Sequence, residues 1–146
     1  MIQIEQIDYR FTWPIRHEVM YPEHNLDFVK LKNDAEGIHF ALYFNHKLTG
    51  IVSLFNEGDI YQFRKLAVLQ EAQGLGLGKK LMEHVIEYCQ IQKASKLWCN
   101  ARANVKEFYF RLGFKETEKT FFKDGYDFII MELDLCFSAS SLFLKY

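Results

Sequence analysis

The sequence predicts a mixed α/β fold: a central, mostly antiparallel sheet of about six to seven strands with helices on both faces. Three observations predict it. Three apolar runs, each bounded by turn residues, follow one another between Ile38 and Val68, which reads as an antiparallel meander. A glycine-rich loop and an amphipathic helix then lead to a further buried strand near Leu97 to Ala101. Such a strand–helix–strand crossover makes the two flanking strands parallel. Two closing strands after a second helix complete the sheet. The chain has 146 residues, 49% of them hydrophobic and 25% charged, which suits one domain with its own core and excludes disordered, collagen-like and coiled-coil chains. Residues 1–136 are assigned to that domain and 137–146 to a C-terminal tail.

The elements follow in order. Ile2, Ile4 and Ile7 begin an edge strand. Thr12 is placed to cap a short helix that tolerates Pro14 in its first turn and groups Ile15, Val19 and Met20 on one face; Pro22 ends it. Residues 23–37 read as a loop or a second short helix. Ile38 to Phe44 and Leu48 to Phe55 form a hairpin around Asn45-His46-Lys47, and Ile60 to Val68 is the third strand after a turn at Asn56 to Asp59. Leu77, Leu81, Val85 and Cys89 recur every fourth position, with Met82 and Ile86 beside them, so a helix runs from about Leu77 to Gln92. A helix from Val105 to Leu112 ends at Gly113. Strands around Lys115 to Phe122 and Phe128 to Leu135 turn at Lys123-Asp124-Gly125. The aromatic content, 16%, has two readings, core and ligand groove. Phe40, Phe44, Phe55, Phe63, Phe122 and Phe128 fall on strands and are expected in the core.

Charge excludes other classes. Lys and Arg total 18 against 19 Asp and Glu, a net charge of −1, so no basic field favours nucleic acid or a membrane surface. Three cysteines without a CxxC spacing suggest reduced thiols in a cytoplasm, not a disulfide framework or a metal site. No metal is expected. The start carries a charge in any would-be apolar segment, and no run approaches the ~20 apolar residues of a membrane span.

The chemistry lies in Gln73-Gly74-Leu75-Gly76-Leu77-Gly78-Lys79. Glycine admits positive φ and close approach of a ligand, and the first amides of a helix are unpaired at the positive end of its dipole. Together they cradle phosphate oxygens. A plain tight turn needs only one glycine, so three favour the anion cradle. A Walker loop would need glycine at Gln73 and a hydroxyl at Lys80; the dinucleotide pattern would need glycine at Lys79 or Leu81. Neither fits.

Gln-x-x-Gly-x-Gly does fit, and it resembles the pyrophosphate loop of the GNAT superfamily of acyl-CoA-dependent N-acyltransferases. Gln62 to Val68 resembles the strand leading into that loop. Leu97 to Arg102 followed by Phe108-Tyr109-Phe110-Arg111-Leu112-Gly113-Phe114 resembles the later strand–helix motif. The resemblance spans about residues 2–135. It implies transfer of an acetyl group from acetyl-CoA to an amine of a small molecule or peptide. The implied CoA clamp is Gln73, Gly74, Leu75, Gly76, Leu77, Gly78 and Lys79. Leu66, Ala67 and Val68 are implied to run along the pantetheine arm, with the Val68 amide facing the thioester oxygen. Tyr109 matches the tyrosine that protonates the leaving thiolate and also borders the CoA. Asn100 is a candidate for pantetheine or for holding the loop before the last helix, and Arg102 stands where the family often has Asn or Gln.

No general base stands out. Glu57, Asp59 and Glu71 are loop carboxylates, His39 reads first as a core histidine, and His17 is a helix residue that can face the acceptor. Arg64 and Gln62 share one strand face, turned either to the acceptor or to solvent. Tyr9, Trp13, His17, Phe121 and Tyr126 are candidate acceptor walls. Cys99 reads as a small hydrophobe. Two alternatives stay open: a catalytically silent acyl-CoA-binding sensor or interaction module, and a nucleotide-binding regulator. Homodimerisation is common in the family, and Leu142-Phe143-Leu144 offers an apolar tail for it.

Overall fold

The computed structural model describes residues 1–135. The expected tail, with Leu142-Phe143-Leu144 and Cys136, lies outside the described residues. The strands are β1 Ile2–Ile7, β2 Ile38–Phe44, β3 Lys47–Glu57, β4 Ile60–Val68, β5 Lys96–Arg102, β6 Lys115–Lys123 and β7 Tyr126–Asp134. They form a seven-stranded sheet in the order β1-β2-β3-β4-β5-β7-β6. β1–β2, β2–β3, β5–β7 and β6–β7 are antiparallel. The mixed, mostly antiparallel fold read from the sequence is therefore the observed one. The chain groups into two compact units, Met1–Asn56 with Gln62–Val85, and Glu57–Tyr61 with the chain from Ile86 onwards.

In the first unit, Asn45 and His46 both adopt positive φ (50° and 67°), the paired left-handed turn that matches strand twist in a two-residue hairpin. β3 is buried over most of its length, because it lies between β2 and β4. Ile15, Ala41, Ile51, Ala67 and Leu69 make one buried cluster, with Ile7, Val19 and Met20 packed against it. Gly50 lets α2 (Leu77–Ile91) approach β3. A Cβ there would stand 3.0 Å from Leu81 Cδ1. The apolar row of α2 is buried as its four-residue spacing requires: Leu77, Leu81, Val85 and Cys89 are each at most 2% exposed.

The first helical segment departs from the expected helix. A 3₁₀ turn, Tyr9–Thr12, precedes α1, Trp13–Ile15, and a π-type stretch, Arg16–Met20, follows. Its cap is Asp8, whose carboxylate accepts from the Arg10 amide at 2.9 Å; Thr12 makes no cap and instead donates to the Tyr9 carbonyl at 2.6 Å. The reason is geometric, since helical turns already begin at Tyr9, before Thr12. Two more 3₁₀ turns, Leu26–Val29 and Asp34–Glu36, occupy the stretch read as loop or short helix.

What holds this irregular segment to the sheet is a buried ion pair. Arg16 is fully buried, and its two terminal nitrogens reach both carboxylate oxygens of Asp34 at 2.9 Å. The same nitrogens donate to the Val29 carbonyl at 3.0 Å and to Ser53 Oγ of β3 at 2.8 Å. Asp34 also accepts from Trp13 Nε1 (3.0 Å) and the Leu31 amide (2.9 Å). His39 of β2 completes the network through Ser53 Oγ (2.7 Å) and the Asp34 carbonyl (2.8 Å). Arg16 Nε alone meets no acceptor among the described residues. A buried charge is tolerable only with such dense pairing.

In the second unit, α2 ends in a Schellman motif. The Lys93 and Ala94 amides bond the Gln90 and Cys89 carbonyls at 3.0 and 2.9 Å, with Lys93 at φ 59°. A short 3₁₀ turn, Ala103–Val105, precedes α3, Lys106–Arg111. Phe40, Phe55 and Phe63 are buried as expected, but Phe122 is 70% exposed. It lies on β6, the edge strand, nearly all of which is exposed.

Two outcomes test the network. Arg16→Met leaves the Asp34 carboxylate buried without its charge partner and should cost about 3–5 kcal/mol in urea unfolding. Burial, the largest influence, lowers the His39 pKa. The folded state then resists a proton that the unfolded chain accepts near pH 6.5. Stability from this residue is therefore complete above about pH 6.5 and lost as pH falls toward the lower folded value. Unfolding midpoints measured from pH 7 to 5 should fall in the native protein and stay flatter in His39→Gln.

Candidate active site

The glycine loop grows out of β4. A 3₁₀ turn, Gln70–Ala72, follows the strand and is seated by buried Leu69 and Ala72; the Leu69 amide bonds the Thr49 carbonyl of β3 at 2.9 Å. Gln73 then latches the loop to the strand end, its Nε2 donating to the Val68 carbonyl at 3.0 Å. Gly74 and Gly76 adopt φ of 83° and 78°, a left-handed conformation that costs other residues roughly 1–2 kcal/mol. A Cβ on either would meet nothing within 4 Å, so backbone conformation and not crowding within the chain demands glycine there. Leu75 projects outward, 58% exposed, while Leu77 is buried and anchors the helix. The helical hydrogen bonds of α2 begin with the Lys80 amide on the Gly76 carbonyl at 3.1 Å, so the Leu77, Gly78 and Lys79 amides precede the ladder. The result is a strand end, two left-handed glycines and an open helix N-terminus in sequence, an anion-binding arrangement. Leu66 and Val68 are half-buried and Ala67 is buried.

The second unit carries Tyr109 and Asn100. The Phe-Tyr-x-x-x-Gly-Phe motif has a local physical meaning. Gly113, at φ 95°, sends its amide to the Phe110 carbonyl (3.0 Å), and the Phe114 amide reaches back to the Tyr109 carbonyl (3.0 Å). This is a Schellman cap, and its usual apolar contact is the Tyr109–Phe114 ring pair at 5.7 Å. The cap thus fixes the backbone and ring of Tyr109, which is buried. Burial, then the Cys99 thiol, raises its pKa, so the phenol keeps its proton at neutral pH. Asn100 is exposed on β5, in register with Ile130. Arg102 stacks on the Tyr126 ring at 3.8 Å, a contact from the end of β5 to the start of β7. Burial pushes the Cys99 thiol up to about 12, which keeps it inert.

The carboxylates considered as bases lie at both ends of β4. Glu57 and Asp59 precede β4, whereas Val68 closes it. Glu71 pairs with Lys47 at 3.3 Å. His39 belongs to the buried network, and His17 Nε2 contacts the His24 carbonyl. Trp13 serves Asp34, and Tyr9 packs on Trp13 at 5.6 Å. Phe121 and Tyr126 are exposed in the last hairpin. No group of three or more His, Cys, Asp or Glu capable of holding a metal occurs among the described residues. No described helix is long and apolar enough to cross a membrane.

Sequence reasoning missed Arg16, Asp34, Tyr21 and Lys65. Lys65 donates to Tyr21 Oη at 2.7 Å from a left-handed position inside β4 (φ 58°). Nothing in the local pattern announces a buried Arg–Asp pair, because the two charges lie 18 residues apart and meet only through folding.

The seven-stranded, mostly antiparallel sheet with a glycine loop between β4 and α2 is a mixed α/β scaffold. Residues 17–135 match the family model described as an acetyltransferase (GNAT) domain. The chain belongs to the GNAT acetyltransferase family. It is 30% identical over 130 residues to the uncharacterized N-acetyltransferase YitI of Bacillus subtilis (strain 168), covering 83% of this chain and 87% of that protein. In fold it is similar to the ribosomal-protein-S18-alanine N-acetyltransferase of Escherichia coli (TM-score 0.76, 24% identity, 95% of this chain and 97% of that one). It is also similar to a GNAT family acetyltransferase of Elizabethkingia anophelis with acetyl-CoA bound (TM-score 0.69, 18% identity, 92% and 98%).

Gly113→Ala tests the cap. Only the left-handed backbone and a 3.4 Å approach to Leu133 Cδ1 oppose it, so it should cost about 1–2 kcal/mol in denaturant unfolding. Near-ultraviolet circular dichroism should also change, as the Tyr109 ring loses its fixed setting.

Proposed function

We propose that the protein is an N-acetyltransferase that moves an acetyl group directly from acetyl-CoA to an amine of a small molecule or peptide, in the cytoplasm and without a metal. The observation that carries this reading is the glycine loop, where two left-handed glycines precede a helix whose leading amides open before the ladder starts. Family membership and a fold shared with a protein that binds acetyl-CoA support it.

In this reading the Gln73–Lys79 backbone binds the pyrophosphate, with the Gln73 side chain holding the loop to β4. Leu66, Ala67 and Val68 run along pantetheine, and Asn100 and Tyr109 are the further residues we assign to cofactor contact. The neutral amine attacks the thioester carbon, the carbon–sulfur bond breaks, and charge that develops on oxygen meets the Val68 amide. Tyr109 supplies a proton-loaded phenol to the departing sulfur. The raised pKa suits a hydrogen-bond donor that steadies thiolate more than an acid that gives its proton away early. In this reading the amine proton leaves to solvent. A homodimer is consistent with the family.

CoA should raise the unfolding temperature, by a stabilisation of about 2.7 kcal/mol at 100 times its Kd, while ATP and NAD should not. With an accepted amine, Tyr109→Phe should lower kcat by about 10²-fold or more with little change in the acetyl-CoA KM. Unchanged turnover would remove the role of the Tyr109 phenol, as donor or acid. CoA binding without transfer to any amine would favour the silent binding module.

A further inference from the structure

β4 carries two adjacent cations that form no ion pair among the described residues. Lys65 stands at φ 58°, and a left-handed residue inside a strand breaks the alternation that would send neighbours to opposite faces. What Arg64 and Lys65 share is Tyr21. Lys65 Nζ donates to Tyr21 Oη at 2.7 Å and lies 4.8 Å from the centre of that ring. Arg64 is half-buried, and the Tyr21 hydroxyl and the Arg16–Asp34 pair act on its charge.

The balance of charge here is uneven. Asp34 is committed to Arg16 by two hydrogen bonds and takes two more from Trp13 and Leu31. Arg64 makes no side-chain hydrogen bond or ion pair among the described residues, and the only partner of the Lys65 ammonium there is the Tyr21 phenol. Guanidinium offers a planar fork of five N–H donors, and Lys65 keeps two of its three after Tyr21. A half-buried donor fork without acceptors is costly to maintain unless an anion completes it. Beside it lies an aromatic face: Tyr21 meets Phe28 at 5.0 Å, His24 stacks on Phe28 at 3.8 Å, and Phe28 is 50% exposed.

We propose that Arg64 and Lys65, neighbours on β4 beside Tyr21, form a subsite that selects acceptor amines bearing an oxyanion, with Tyr21 and Phe28 receiving the apolar body. The inference rests on the acetyltransferase reading and specifies its acceptor. Guanidinium and ammonium suit both a carboxylate and a phosphate-like group, so the test separates them.

Acetyl transfer is measured with L-phenylalanine, its amide and its aminophosphonic acid analogue, which share one body and differ in charge. An oxyanionic acceptor should exceed the amide in kcat/KM by about tenfold to a hundredfold, the worth of one or two charge-assisted hydrogen bonds. The carboxylate-to-phosphonate ratio tells which oxyanion fits. Arg64→Gln and Lys65→Gln should each reduce the preference by about tenfold, with CoA-induced thermal stabilisation retained. Equal or better use of the amide overturns the inference, as does a preference that survives both substitutions. Loss of CoA binding in the two variants overturns it too, because the cations then serve the cofactor. Should none of the three be acetylated, calorimetry of the CoA-loaded protein decides. Phenylacetate binding that phenylacetamide lacks and Arg64→Gln abolishes supports the subsite; no phenylacetate binding at about 10 mM, a very weak affinity, overturns it. Failure of the acetyltransferase reading itself is seen separately, as absent CoA stabilisation.

Discussion

The Arg16–Asp34 pair is the constraint on which the first unit depends. The chain from Tyr9 to Glu36 has no continuous α-helix; it is a succession of 3₁₀, short α and π turns. Such turns have weak internal hydrogen bonding and cannot hold a position alone. One buried guanidinium ties this stretch to the sheet through Val29, Asp34 and Ser53. Burial raises the Asp34 pKa, but hydrogen bonds from Arg16, Trp13 and Leu31 with the Arg16 charge outweigh it, and the net shift is downward. The carboxylate is thus held ionised, and the pair stays charged where an apolar pair of the same volume would also pack. What charge adds is direction: a bidentate pair accepts one orientation, and that orientation sets where Trp13 stands.

The second unit achieves the same end by backbone means. Two helices end in Schellman motifs, one with Gly113 and one with Lys93 in the left-handed position. The first carries Tyr109 at the residue whose carbonyl accepts the cap, so the tyrosine is held by hydrogen bonds on one side and by Phe114 on the other. The familiar Phe-Tyr-x-x-x-Gly-Phe spacing is therefore a statement about helix termination as much as about chemistry. The glycine loop is similar in kind. Gly74 and Gly76 shape it through φ, Gln73 latches it, and Leu77 roots the helix that follows.

Binding and selection are distributed between different forces. In the proposed function the cofactor is read mainly by backbone amides, which need no charged surface, and this accords with a net charge of −1. The acceptor in our reading is sorted by two side-chain charges on β4. Both proposed sites draw on one strand and its exit, β4 with Arg64 and Lys65 and the loop with left-handed Gly74 and Gly76.

Sequence by itself determined the strands, the two longer helices and the glycine loop, because their signals are local. β2 and β4 have the expected ends, α2 starts at Leu77, and His39 is the core histidine its apolar strand suggested. Exposed β6 was misread through Phe122, since one strand's pattern does not say which strand will be the edge. Asp8 displaced Thr12 as a cap because both are good caps and only the neighbouring turns choose between them. The Lys93 cap was hidden because it lacks glycine, and Lys65 because a left-handed residue inside a strand has no signature in residue type. The Arg16–Asp34–His39–Ser53 network was decided only by tertiary structure. Its members are scattered over four elements, and an ion pair has no periodicity; it exists only where folding removes water from both charges at once.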